Sequence, residues 1–197
     1  MAQKKWWPWG KKDDNQAASP PETSPPAETA PAPAINYKIC LLGSFAVGKT
    51  SLVRRFVESS FDENYLSTVG FQVKRKSLKY NNRQYQLMIW DLAGGEDYNE
   101  SVHLSGCHGA LVVCDLTRPD SIDAYHKYHQ QLAQIAPNAQ IIYLANKADL
   151  TDERQIGNDT LAQVSADLGA PYLLTSAKTG QNVEAAFELI VKQIESS

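Results

Sequence analysis

The residues with the clearest chemistry form a short segment that combines two glycines, a lysine and a threonine. Its residues are Gly43-Ser44-Phe45-Ala46-Val47-Gly48-Lys49-Thr50. The two glycines let the backbone curl so that successive N–H groups point inward, and a helix expected to begin near Lys49 adds the positive end of its dipole. The segment follows an apolar run that predicts a strand, which is the context that a phosphate-binding loop requires. The sequence therefore predicts a phosphate site at residues 43–50.

Two side chains at the end of this loop have separate expected roles. Lys49 is expected to place its ammonium on the β- and γ-phosphates of a triphosphate. The Thr50 hydroxyl is expected to complete a Mg²⁺ shell made otherwise of phosphate oxygens, water and a carboxylate. The alternative interpretation is an ordinary glycine turn before a helix.

Two further polar segments follow predicted strands and are expected at the same edge of a sheet. They are Asn146-Lys147-Ala148-Asp149 and Thr175-Ser176-Ala177-Lys178. A carboxylate such as Asp149 accepts two hydrogen bonds from the N1–H and the exocyclic amine of guanine, whereas adenine offers no such donor pair. The segments predict a guanine-nucleotide site, and they conflict with an ATP-dependent kinase or transport ATPase.

The elements that must position these residues alternate between strands and helices. Strands are predicted at 37–42, 69–80, 85–91, 110–116, 140–145 and 171–175, and helices at 49–57, 121–135, 156–168 and 182–194. This order predicts an α/β fold in which a mostly parallel six-stranded sheet carries helices on both faces, the three-layer sandwich typical of P-loop NTPases. Residues 69–91 contain no helix-length break, so they predict an antiparallel hairpin with one antiparallel edge strand.

The composition separates a tail from one folded domain. Residues 13–34 hold six prolines among Ser, Thr, Ala and Glu, which predicts a disordered tether, and the domain is expected to span residues 35–197. No run reaches the ~20 apolar residues of a membrane-spanning helix. A net charge of −3 gives no general attraction for nucleic acid, and three cysteines, two of them in apolar runs, favour a reducing cytoplasm. We expect a monomer.

Together and in this order, the motifs resemble those of the small GTPases of the Ras superfamily. The Trp90-Asp91 strand end and the hairpin are most similar to the Rab branch, and the resemblance covers residues 35–197. It implies that GTP, GDP and Mg²⁺ are bound. The residues expected to contact the nucleotide are Ser44, Phe45, Ala46, Val47, Gly48, Lys49, Thr50, Ser51, Phe61, Thr68, Asp91, Gly94, Asn146, Lys147, Asp149, Ser176, Ala177 and Lys178.

The resemblance gives several of these residues individual roles. It implies that Asn146 and Asp149 bind guanine, and that Lys147 packs over the base and braces the phosphate loop. Ala177 is expected to donate its N–H to the guanine carbonyl. Ser51 matches the position that contacts the α-phosphate. Phe61 matches the aromatic residue that packs on the base edge, with a core residue after the first helix as the alternative.

Two segments match the switches of the family. Thr68 lies 19 residues after Lys49, the spacing of the switch I threonine that reaches Mg²⁺ and the γ-phosphate. Asp91-Leu92-Ala93-Gly94 resembles the switch II element, in which Asp91 holds Mg²⁺ through water and the Gly94 N–H meets the γ-phosphate. Metal ligation is thus expected from Thr50, Thr68 and Asp91. Effectors, exchange factors and activating proteins are expected to bind through both switches, and a partner that recognises the ordered switch surface is expected to dissociate after hydrolysis removes the γ-phosphate.

The sequence departs from the family at the residue that orients the attacking water. The family has glutamine after the switch II glycine, whereas this chain has Gly95 and then Glu96. Phe45 stands in the loop where relatives keep a small residue, and a phenyl ring there crowds an incoming arginine. Arg54 and Arg55 are expected on the first helix, facing solvent.

These departures predict slow GTP hydrolysis. Lys49, Thr68 and Gly94 are the expected catalytic residues, with Glu96 as a substitute water-orienting group. The alternative is a GTP-bound interaction module that does not hydrolyse its nucleotide.

The first twelve residues combine three tryptophans with four lysines. Indole rings favour the bilayer interface and lysines favour anionic headgroups, so we expect a peripheral membrane contact. The alternative is a tail that binds some protein or nothing. The C-terminal residues carry no cysteine for prenylation, the usual Rab attachment, which favours a different tether and a bacterial source.

Overall fold

The fold is seen in a computed structural model that describes residues 34–61, 68–94 and 100–197, with the side chains of residues 100 and 101 left aside. The strands are β1 Ile35–Gly43, β2 Phe71–Tyr80, β3 Arg83–Leu92, β4 Gly109–Asp115, β5 Gln140–Asn146 and β6 Tyr172–Leu174. The helices in these ranges are α1 Lys49–Glu58, α2 Asp123–Ile135, α3 Asn158–Leu168 and α4 Val183–Ser196. Short 3₁₀ turns span Glu100–His103, Pro119–Ile122 and Thr151–Glu153.

The strands form one six-stranded sheet in the order β2-β3-β1-β4-β5-β6. Only the β2–β3 pair is antiparallel, and Asn81 and Asn82 make its two-residue turn with φ angles of 46° and 60°. Two left-handed residues give the turn type that matches the twist of a hairpin. The expected mostly parallel sheet with one antiparallel edge strand is confirmed.

Apolar residues on alternating positions of the strands form a core on each face of the sheet. On β4, Leu111 and Val113 belong to one core, while Val112 and Cys114 belong to the other. Helices α1 and α4 cover the first core, where the Phe56 and Phe187 rings stack with centroids 3.8 Å apart. Helices α2 and α3 contribute to the second core. This arrangement confirms helices on both faces.

All six strands differ from the predicted bounds by one or two residues, and β2 and β6 are shorter than predicted. Val69 lies outside β2 and is 90% exposed, because Gly70 takes a left-handed φ of 75° that interrupts extended backbone. Strand β6 is shorter than expected because it pairs with β5 only through Tyr172, Leu173 and Leu174. Among the described helices, none combines the length and apolarity of a membrane span.

Candidate functional site

A cavity of about 310 Å³ lies at the carboxyl edge of the sheet. It lies where β1 is flanked by β3 and β4, the point at which the strand order reverses and at which ligands of such sheets bind. Its walls come from the loop before α1 and from segments that follow β3, β5 and β6. The lining residues are Phe45, Ala46, Gly48, Lys49, Thr50, Ser51, Arg54, Phe61, Thr68, Leu92, Ala93, Gly94, Asn146, Lys147, Asp149, Leu150, Ala177 and Lys178.

The loop before α1 is curled by residues with positive φ angles. Ala46 has a φ of 62° and Gly48 a φ of 98°, and a side chain at position 48 would overlap the Asn146 amide. Lys49 is 7% exposed, and its Nζ donates to the carbonyl oxygens of Gly43 at 2.7 Å and Ser44 at 2.9 Å. A loop with this curl at a helix N-terminus suits a bound anion.

Three oxygen-bearing side chains meet beside the loop. The Thr50 hydroxyl donates to Asp91 Oδ2 at 2.6 Å and lies 2.6 Å from the Thr68 hydroxyl. Because a hydroxyl has one proton, Thr68 is the donor to Thr50 in this arrangement. Burial raises the pKa of Asp91 above its usual value, against the opposing effects of the Thr50 hydrogen bond and the Lys49 charge.

The same cluster fits a magnesium ion. Asp91 is 1% exposed, and its Oδ1 has no hydrogen-bond partner among the described residues. A buried carboxylate oxygen without a donor is costly unless a cation compensates it. Hard oxygen ligands, here one carboxylate and two hydroxyls, are those that Mg²⁺ prefers.

Gly94 lies directly over the phosphate loop. A Cβ at this position would be 2.5 Å from the Gly43 carbonyl oxygen, 2.5 Å from Lys49 Nζ and 2.6 Å from the Ser44 carbonyl carbon. Only glycine permits this approach, because two of these neighbours are backbone atoms. The end of the segment that follows β3 is therefore in contact with the loop.

The other end of the cavity is formed by Asp149 and its neighbours. Ser176 donates its hydroxyl to Asp149 Oδ1 at 2.5 Å, which leaves Oδ2 as a further acceptor. Leu150 and Phe61 add apolar lining. A carboxylate fixed between apolar walls is suited to a planar base that carries adjacent N–H donors.

Asn146 connects the two ends of the cavity. Its Nδ2 donates to the Val47 carbonyl at 2.9 Å, and its Oδ1 accepts from Thr175 Oγ1 and from the Ala177 N–H, both at 3.3 Å. One amide N–H of Asn146 is left for a ligand. The expected donation from Ala177 to a guanine carbonyl stays a prediction, because in this structure the Ala177 N–H donates to Asn146 Oδ1.

Lys147 reaches a residue that the motifs did not indicate. Its Nζ lies 2.6 Å from Oδ2 of Asp115, a fully buried carboxylate at the end of β4. Burial alone disfavours ionisation of Asp115, but the Lys147 charge and the Thr117 donors outweigh it and hold the pKa below its usual value. Asp115 is the last residue of the otherwise apolar strand β4. A charged residue at the end of an apolar run is the sequence signal that could have indicated its role.

The expectation that Arg54 and Arg55 face solvent is wrong. Arg54 lines the cavity. Arg55 donates to the Ala177 carbonyl at 2.8 Å and to the Lys178 carbonyl at 2.5 Å, so α1 is attached to the segment after β6. Both arginines are partly buried.

Four of the residues expected to contact a nucleotide are not cavity-lining residues. Ser44 and Val47 contribute carbonyl oxygens to Lys49 and Asn146, and the Val47 side chain is buried in the core. Asp91 accepts a hydrogen bond from the cavity-lining Thr50, and Ser176 donates one to the cavity-lining Asp149. Glu96, with Gly95 and residues 1–12, lies outside the described residues.

Comparison with known families gives one match. The model described as the Ras family matches residues 38–196 of the chain. The matched range covers all the segments that form the cavity.

Proposed function

The chain belongs to the Ras family of small GTPases, and from this premise we propose that it is a guanine-nucleotide switch that hydrolyses GTP slowly. The observation that carries the proposal is the cavity that the described residues form at the carboxyl edge of the sheet. Lys49 and Thr50 line one end of it and Asp149 lines the other. A nucleoside triphosphate has a matching arrangement, with phosphates at one end and a base at the other.

At the phosphate end, each residue has a chemical task. Lys49 exchanges its loop carbonyl partners for phosphate oxygens, since phosphate is the stronger acceptor for an ammonium. Thr50, Thr68 and Asp91 would hold Mg²⁺, directly or through water. The ion supplies charge neutralisation on the β- and γ-phosphates.

At the base end, we propose guanine recognition by Asp149 and Asn146. The Asp149 carboxylate accepts from the two adjacent donors of guanine, and the remaining N–H of Asn146 donates to the base. Adenine would leave the carboxylate without the two base donors, and a half-buried carboxylate that loses these partners disfavours the wrong base. Ser176 supports this discrimination because its hydroxyl holds Asp149 in place.

Slow hydrolysis is proposed from two departures from the family pattern. Gly95 carries no amide to orient water, and Phe45 is a 52% exposed ring at the cavity wall. Phe45 also favours the second candidate, a GTP-bound module without turnover, because it obstructs an arginine supplied by an activating protein. The Rab-like branch is our finer assignment, supported by Trp90 at the end of β3 and by the β2–β3 hairpin.

Single-turnover hydrolysis tests this proposal. The protein is loaded with GTP, freed of contaminating phosphatase and followed for hours by chromatography of the nucleotide. We expect GDP to appear slowly, and Lys49→Ala, which removes the phosphate ligand, to abolish it. No GDP after a day would support the interaction module, whereas turnover as fast as that of a glutamine-bearing relative would contradict slow hydrolysis.

We also propose that residues 1–12 make a peripheral contact with anionic membranes in the cytoplasm, and that the chain is a monomer whose partners bind the switches. The three tryptophans and four lysines of that segment support membrane contact. Co-sedimentation with phosphatidylserine vesicles is expected for the full chain and is expected to be lost on deletion of residues 1–12. Unchanged co-sedimentation of the deletion variant would exclude this contact.

A further inference from the structure

Arg118 belongs to no nucleotide-binding motif, yet it lies against the phosphate loop. It follows β4, where its own N–H donates to the Asp115 carbonyl at 2.9 Å and its carbonyl accepts from the Ser121 hydroxyl at 2.6 Å. Its Nε lies 3.4 Å from the buried Asp115 carboxylate. These contacts fix both the backbone and the side chain of Arg118.

The free end of this side chain reaches the loop. Arg118 Nη2 donates to the Phe45 carbonyl at 2.7 Å, across a separation of 73 residues. Arg118 can do this while its charge stays beside Asp115, because the guanidinium is planar and carries its charge on several nitrogens: Nε forms the ion pair and Nη2 donates the hydrogen bond. Arg118 therefore connects a buried carboxylate with a loop backbone atom.

The Phe45 carbonyl is one of four in the loop that accept from side chains. Lys49 donates to the carbonyls of Gly43 and Ser44, Asn146 donates to that of Val47, and Arg118 donates to that of Phe45. The carbonyl and the N–H of one peptide unit point to opposite sides, so a donor that fixes a carbonyl also fixes the direction of that N–H.

Nucleotide binding changes this set of contacts in a predictable way. When Lys49 moves to the phosphates, the carbonyls of Gly43 and Ser44 lose their donor. The donors from Asn146 and Arg118 then remain on the Val47 and Phe45 carbonyls. The Asp115 carboxylate also pairs with Lys147 at 2.6 Å. It therefore also orients Lys147, which lines the part of the cavity proposed to bind the base.

We propose that Arg118 is a positioning residue that holds the phosphate loop in its curled conformation and so slows nucleotide release. The inference rests on the proposed function, because it concerns retention of the nucleotide in this cavity. An exposed ion pair alone contributes little. Arg118 differs because its ion-pair partner Asp115 is fully buried and its hydrogen-bond acceptor is a carbonyl of the loop itself.

The test measures release of N-methylanthraniloyl-GDP from the full chain in Mg²⁺ buffer after addition of excess GDP. Arg118→Met keeps the aliphatic stem and removes every donor, and we expect release about tenfold faster, which corresponds to roughly 1.4 kcal/mol. Arg83→Ala is the matched control, since Arg83 is an exposed arginine that pairs with Glu195 elsewhere. The control is expected to release at the wild-type rate.

Two further measurements separate positioning from a general effect. Arg118→Lys keeps the positive charge but lacks the planar guanidinium, so we expect nucleotide release at least several-fold faster than from wild type. The preference for GDP over inosine diphosphate, which lacks the exocyclic amine, is expected to stay unchanged in Arg118→Met because the loop is affected and not the base end. Wild-type release from Arg118→Lys, or a loss of base preference in Arg118→Met, would overturn the proposal.

The outcomes also distinguish this inference from the proposed function. If the wild-type chain fails to retain N-methylanthraniloyl-GDP, guanine-nucleotide binding itself is wrong. If wild type retains it and Arg118→Met releases it at the same rate, only the role of Arg118 is wrong. Folding of each variant is checked by thermal unfolding without nucleotide, where we expect little change because Lys147 still pairs with the buried Asp115 carboxylate.

Discussion

Replacement of Gly94 by alanine tests the contact between the segment after β3 and the phosphate loop. The added Cβ would lie 2.5 Å from the Gly43 carbonyl oxygen, about 1 Å short of an ordinary contact distance of ~3.5 Å. Gly43 cannot retreat, because its own φ of 142° and its approach to Val113 on β4 leave no room. The segment that contains Gly94 must therefore move away from the loop by nearly 1 Å.

This displacement reaches the proposed magnesium ligands. Asp91 is three residues from Gly94, and a shift of its strand end by about 1 Å would lengthen the 2.6 Å Thr50–Asp91 hydrogen bond beyond useful geometry. A hydrogen bond to a charged group is worth about 1.5–3 kcal/mol, so release of bound GTP should accelerate about ten- to a hundredfold.

The assay measures dissociation of a fluorescent GTP analogue with Mg²⁺ and with excess EDTA. We expect Gly94→Ala to release faster than wild type in Mg²⁺ and at a similar rate in EDTA, because the contribution that it loses depends on the metal ligands. Gly157→Ala is the control, since a Cβ there meets nothing within 4 Å. Equal rates for Gly94→Ala and wild type in Mg²⁺ would refute the reasoning.

Three other changes have defined outcomes. Gly95→Gln should raise single-turnover GTP hydrolysis at least ~10-fold by restoring an amide that orients water, and an unchanged rate would show that another group limits turnover. Asp149→Asn should lose about 10²-fold in GDP affinity and gain affinity for xanthosine diphosphate, because the amide donates where the carboxylate accepted; calorimetry measures both. The hydrogen bond from Tyr37 and the nearby Arg83 charge lower the pKa of Glu195 below its usual 4.5, so its stabilisation is present above that pH and is lost as the pH falls through the folded pKa. Thermal unfolding of Glu195→Gln should therefore show a deficit at pH 7 that shrinks as the pH falls below 4.5, and a constant deficit would contradict this origin.

The sequence predicted the fold because its signals are local. Alternating apolar runs and helical spacing place the six strands and four helices, and the two asparagines at 81–82 mark the hairpin turn. The start of β2 was missed because the left-handed φ of Gly70 depends on the path of the chain and not on a recognisable motif. Strand ends are set by pairing with neighbours, which a linear pattern does not contain.

The candidate site was predictable where its residues belong to continuous motifs. Lys49, Thr50 and Asp149 follow strands whose carboxyl ends share one edge of the sheet, so their approach follows from topology. Contacts made by long side chains were not predictable. Arg55 reaches a carbonyl 122 residues away and Arg118 one 73 residues away, and both depend on how loops pack over the sheet.

Calorimetric titration of the nucleotide-free protein with GDP and with ADP in Mg²⁺ buffer tests the central claim most directly. A cavity with Lys49 at one end and Asp149 at the other should bind GDP at least ~10³-fold more tightly than ADP, because adenine offers the carboxylate no adjacent pair of N–H donors. Equal affinity for the two nucleotides, or no binding of either, would contradict the assignment of the cavity to a guanine nucleotide.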